Sequence, residues 1–139
     1  MLVKMGRTRA ALLVSIVAVT GRLPAELPPS AYKEWQATAP EILMIKVISV
    51  TLRETRAENG KEINFTVTAE VQKVERSAAK LTSGQRIEIR YSQRHYSQPI
   101  AGPSGVPALK EGQICPAYLS GDGKTYSPAA GGYSFQPVR

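Results

Sequence analysis

The chain has 139 residues, one cysteine, one histidine and a formal net charge of +7. One cysteine excludes an internal disulfide, and one histidine with one cysteine falls short of the four Cys or His ligands of a structural zinc site. Most of the basic excess sits at the front. Without Lys4, Arg7, Arg9 and Arg22, 14 basic residues face 11 acidic ones, a net charge of +3 that is ordinary for a soluble surface.

Met1–Arg9 is basic, and Ala10–Gly21 is apolar or small throughout. A basic head before a short apolar core is the layout of a secretory signal peptide. The run is shorter than the roughly 20 residues a membrane-spanning helix needs, and Arg22 follows at once. Residues 1–22 are therefore expected to be a cleaved signal and the protein to be periplasmic or secreted. An uncleaved anchor and a buried N-terminal element are the alternatives, and membrane association is expected only through an uncleaved signal. Ala18-Val19-Thr20, Val19-Thr20-Gly21 and Leu23-Pro24-Ala25 each offer small residues at cleavage spacing. The chain after the signal is one domain by length.

Residues 23–40 read as an extension. Leu23–Pro29 is Pro-rich, and Ser30–Ala39 predicts a short helix with Tyr32, Trp35 and Ala39 on one face, ended by Pro40. A helix this short is marginal alone, so Trp35 is expected to anchor it.

From Glu41 the hydrophobic period becomes two. Glu41–Arg53 predicts a long first strand with Leu43, Ile45 and Val47 on one face and Ile48, Val50 and Leu52 on the other. Such a phase slip requires a bulge or bend. Asn59-Gly60 supplies a turn. Ile63–Val71 predicts a second strand, and Ile87, Ile89 and Tyr91 mark a third. Gln93–Lys110, with Pro99, Pro103 and Pro107, predicts a long loop. A fourth strand is expected over Gln113–Ser120, a tight turn at Gly121-Asp122-Gly123, and a fifth strand from about Lys124. Tyr133-Ser134-Phe135 is expected to resume its pairing after Ala129–Gly132. Cys115 lies in an apolar run and reads as a small core residue.

Five strands, the first long and bent, three in a meander and two in a closing hairpin, predict a mainly β fold. Its expected form is a five-stranded OB-like barrel over residues 41–139 with a short N-terminal helix. Val67–Ser77, Leu81, Gly84 and Ile87-Glu88-Ile89, followed by Leu109-x-x-Gly112 and a strand ending at Tyr118-Leu119, resemble the netrin-like group of OB folds. That group includes the tissue inhibitors of metalloproteinases. The resemblance spans about Glu41–Leu119 and implies a barrel. The disulfides of that group and the N-terminal cysteine by which its inhibitors bind zinc have no counterpart here. The chain also resembles small exported bacterial proteins.

The sequence holds no glycine-rich phosphate loop, HExxH or GxSxG, so no cofactor, metal site or catalytic residue is expected. A Cys115–His95 dyad would need a third, orienting group. The candidate ligand site is Arg90, Arg94, His95 and Tyr96, at the exit of the third strand into the long loop. Arginine offers bidentate donors to anions and tyrosine a stacking face. The expected function is an exported, non-catalytic binding module for a protein or envelope glycan. Alternatives are a single-stranded nucleic-acid-binding OB fold, which export and the low mature charge disfavour, and a small exported hydrolase. Exposed strand edges that pair with a neighbour would give an assembly role.

Overall fold

The computed structural model describes residues 27–97 and 105–138. The expected signal, residues 1–22, lies outside the described residues. The elements are helix α1 (Pro29–Thr38), strands β1 (Glu41–Ala57), β2 (Gly60–Ser77), β3 (Arg86–Tyr96), β4 (Ile114–Gly121) and β5 (Thr125–Pro128), and a 3-10 turn over Gly131–Tyr133.

The strands close in the order β1-β2-β3-β5-β4, with β4 paired back onto β1. All pairs are antiparallel except β3–β5, which is parallel through Glu88–Thr125 and Ile89–Tyr126. This is the expected OB-like barrel. β1 makes closure possible because it serves two neighbours. Glu41–Lys46 pairs with β4 on one edge, while the whole strand pairs with β2 on the other. The expected phase slip is a bulge at Ile48: Val47 pairs with Ala69 and Ser49 with Thr68. The extra residue bends the strand and returns Val50 to the core side, where it packs against the buried cluster. Two more register shifts at Ile42/Leu43 and Met44/Ile45 curl β2 around the barrel.

Alternation then fills the interior. Leu43, Ile45, Val47, Val67, Ala69, Val71, Ile87, Ile89, Ala117 and Leu119 are all buried. Cys115 joins them, as expected, and burial pushes its thiol up to about 11. Phe65 stacks on Tyr91 at 4.7 Å between ring centres, and Phe135 tilts against Tyr91 at 5.9 Å.

One buried charge closes the barrel end. Glu41 accepts hydrogen bonds from the Ser77 hydroxyl and from Ala79 N (3.1 Å), while Ser77 Oγ accepts from Leu81 N (2.8 Å). The carboxylate thus organises the loop between β2 and β3 and carries Leu81 into the core. At the β4–β5 hairpin, Asp122 Oδ1 accepts from Lys124 N (2.9 Å) and Thr125 N (3.0 Å). The backbone N–H of Thr125, then that of Lys124, holds the Asp122 carboxyl below its usual range.

Three expectations need correction. Tyr32, not Trp35, anchors α1: Tyr32 is buried against Tyr133 at 4.6 Å, while Trp35 stays 40% exposed. The hydrophobic period placed both on one face, but only Tyr32 is buried there, with Trp35 set edge-on against its ring. Gln36 Nε2 fixes the 131–136 segment by donating to the carbonyls of Tyr133 (2.8 Å) and Gln136 (2.9 Å). Second, Tyr133-Ser134-Phe135 does not resume a strand. Tyr133 closes the 3-10 turn, and a single bond from Tyr118 N to Ser134 O (2.8 Å) joins this segment to β4. Third, β3 does not end near Tyr91 but runs to Tyr96.

Candidate functional site

β1, β2 and β3 outrun the barrel. Their last turns form a three-stranded arm in which Thr51–Ala57, Gly60–Thr66 and Arg90–Tyr96 are paired residue for residue. The apolar alternation stops there, so the sequence pattern alone gave no reason to extend β3. The partner strand supplies it, because alternate residues of Ser92–Tyr96 pair their backbone N–H and C=O with β2, whose edge would otherwise be left unpaired there. The tight turn at Glu58-Asn59 allows this close approach. Gly60 has φ +150°, and a Cβ there would collide with the His95 carbonyl. Ser97 N and Oγ both donate to Asn59 O, at 2.8 and 2.9 Å, and tie off the end.

Register assigns every arm side chain to one of two faces. The outer face carries three cross-strand rows: Thr51–Thr66–Arg90, Arg53–Asn64–Ser92 and Thr55–Glu62–Arg94, with Tyr96 beyond, opposite Gly60. The first two rows and Thr55 line a shallow concavity of about 570 Å³, with Glu62, Arg94 and Tyr96 beyond its edge. The inner face, continuous with the core, carries Leu52–Phe65–Tyr91, Glu54–Ile63–Gln93 and Arg56–Lys61–His95. Its lower part is covered by residues 105–109. The Tyr91 hydroxyl donates to Pro107 O (3.2 Å) and accepts from Leu109 N (3.0 Å), and Gln93 Nε2 donates to Val106 O (2.8 Å). Burial pushes the Tyr91 phenol up, the bond from Leu109 N opposes that, and nearby Cys115 adds to it.

The four predicted site residues are therefore brought together in sequence but divided in space. Arg90, Arg94 and Tyr96 share the outer face, and all three are exposed. His95 points to the other side, because one step along a strand reverses the face. The structure adds Arg53, Asn64, Thr51 and Thr66, which the sequence reading missed. Their signal was present as polar residues alternating with Leu52, Ile63 and Phe65, but which strands lie side by side is a property of the register. Arg90 Nε donates to Glu88 at 2.8 Å, so its charge is partly spent within the strand. Arg53 and Arg94 have no ion pair among the described residues.

Cys115 and His95 do not meet. Cys115 pairs with Ile45 inside the barrel, whereas His95 sits in the row of Arg56 at the arm tip, roughly 30 Å further along β1. Among the described residues, no three His, Cys, Asp or Glu side chains gather as a metal site, and no helix is long and apolar enough to cross a membrane.

Fold and site together define an OB-like barrel with a polar three-stranded arm. No protein-family model, curated protein or solved structure matches the chain.

Proposed function

We propose that this chain is an exported binding module whose ligand is an envelope glycan, held on the outer face of the arm. The carrying observation is the row pattern of that face. Guanidinium, amide and hydroxyl groups stand side by side over three strands, in a shallow concavity lined by Arg53, Asn64, Thr66, Arg90 and Ser92. Such groups offer a dense set of donors and acceptors to ligand hydroxyls and carboxylates. The outer face of the central strands is also where OB folds commonly take oligosaccharides and oligonucleotides.

The face suits single-stranded nucleic acid less well. That ligand wants aromatic platforms for successive bases, and Phe65 and Tyr91 are turned inward here. Tyr96 is the one aromatic on the outer side of the arm. The export and the absence of catalysis in this reading rest on the basic-apolar N-terminal sequence and on the inward, protonated thiol of Cys115.

A protein partner is a second reading, favoured by a different surface. Ile42, Met44, Pro116 and Tyr118 line an outer groove of about 720 Å³ across β1 and β4, beside Ile114, which is 62% exposed. Apolar side chains of this kind anchor protein interfaces.

Calorimetric titration of the mature chain with purified envelope polysaccharide tests the proposal. Arg53→Ala with Arg94→Ala is expected to abolish measurable binding, while Met44→Ser leaves it intact. Polysaccharide binding that survives the arginine pair, or none by the unaltered protein, would overturn the glycan reading. A loss caused by Met44→Ser alone would move the site to the groove.

A further inference from the structure

The inner face of the arm tip poses an electrostatic problem that its one acid, Glu54, solves only in part. Arg56 stands directly opposite Lys61, and Lys61 directly opposite His95, so three basic side chains form one row across three strands. Like charges in directly opposed positions repel. Glu54, one row below, reaches Lys61 Nζ at 3.7 Å. Arg56 has no hydrogen bond or ion pair among the described residues, and the row opens onto a cavity of about 480 Å³ completed by Gly60, Tyr96, Ser97 and the single acid Glu54, whose charge is engaged with Lys61.

His95 is oriented for this cavity. Gln93 Nε2 is committed to Val106 O, which turns Gln93 Oε1 toward His95 Nε2 at 3.2 Å. That contact is a hydrogen bond only if Nε2 carries the proton. Nδ1 is left as the free edge of the ring. A second proton on Nδ1 would give the row another donor and another positive charge.

We infer that Arg56, Lys61 and His95 form a binding site for a phosphoryl-bearing ligand of the diphosphate type. Two inter-strand gaps separate the outer members of the row, about 10 Å in all. A single carboxylate reaches only one adjacent pair, whereas a diphosphate offers acceptor oxygens across both gaps and enough negative charge for all three cations. Arginine supplies the planar fork and lysine the point charge that phosphate sites use. Anion binding favours the doubly protonated imidazole, so the complex takes up a proton at Nδ1 from solution. The three basic side chains of this site are distinct from the outer-face residues Arg53, Asn64, Arg90 and Arg94, and Tyr96 alone borders both.

His95 is the single histidine of the chain, so one ring signal reports on the site. The experiment is an NMR titration of the mature protein with inorganic pyrophosphate at constant ionic strength. Malonate serves as a two-carboxylate comparator. The expected result is a saturable shift of the His95 ring resonances and a rise in their titration midpoint with pyrophosphate. Arg56→Gln and Lys61→Gln should each weaken binding roughly tenfold, the loss of one charge-assisted bond. Lys73→Gln, the same charge change on another face of β2, should leave it unchanged. A shift that does not saturate, equal affinity for malonate, equal weakening by Lys73→Gln, or affinity retained in both Arg56→Gln and Lys61→Gln would overturn the inference.

Discussion

Tyr126 on β5 is 1% exposed, and its hydroxyl has no hydrogen-bond partner among the described residues. Its environment also resists ionisation. Burial pushes the phenol up, and the carboxylates of Glu41 and Asp122 push it further. A buried hydroxyl without a partner costs about 1–3 kcal/mol relative to hydration. Tyr126→Phe removes that cost and keeps the ring in place. The missing oxygen forfeits a handful of dispersion contacts worth about 0.1–0.2 kcal/mol each. The net expectation is a gain of about 1 kcal/mol, a rise in Tm of roughly 4 °C for a domain of this size. Ser134→Ala is the matched opposite. Ser134 is equally buried, but its Oγ accepts from Ala130 N at 2.9 Å and donates to Gly131 O at 2.8 Å. Its loss leaves the buried Ala130 N–H unmet and should cost about 1–3 kcal/mol. Urea unfolding and calorimetry on both variants measure the two signs. If Tyr126→Phe is destabilising at an unchanged m value, the hydroxyl is satisfied by a bound water and the accounting fails.

Gly60→Ala should destabilise the protein by about 1–3 kcal/mol from the backbone conformation alone, before the collision with the His95 carbonyl is counted. Hydrogen exchange should show the loss concentrated in the arm, and equal loss in β4 would contradict its separateness. Cys115 predicts an alkaline limb. Its folded thiol titrates at about 11 against an ordinary 9.0, so its share of stability is complete below pH 9 and is lost as the pH rises to about 11. The two-unit difference is about 2–3 kcal/mol. Cys115→Ala should flatten that limb, and an unchanged slope in denaturation between pH 9 and 11 would assign it elsewhere.

The alternation of Leu43, Ile45 and Val47 and of Phe65, Val67, Ala69 and Val71 is a local consequence of the two-residue strand period, so the core was legible in the chain. The slip after Val47 was legible too, since an extra residue is the only way to keep Val50 on the apolar side of a continuous strand. The turn glycine at 60 and the Asx turn at Asp122 follow from local backbone chemistry in the same way. The arm did not follow. Arg90–Tyr96 carries no apolar period, and it is a strand because β2 offers unpaired backbone at the right height. Nor could the sequence show that Arg90, Arg94 and Tyr96 share a face with Arg53 and Asn64 while His95 joins Arg56 and Lys61. Neighbours in sequence take opposite faces of a strand, and residues dozens of positions apart become neighbours only when the register between strands is fixed. Composition and period determined a small β-barrel and a basic, apolar N-terminal segment. Strand pairing, which depends on the whole closed sheet, decided which of its polar residues can act together.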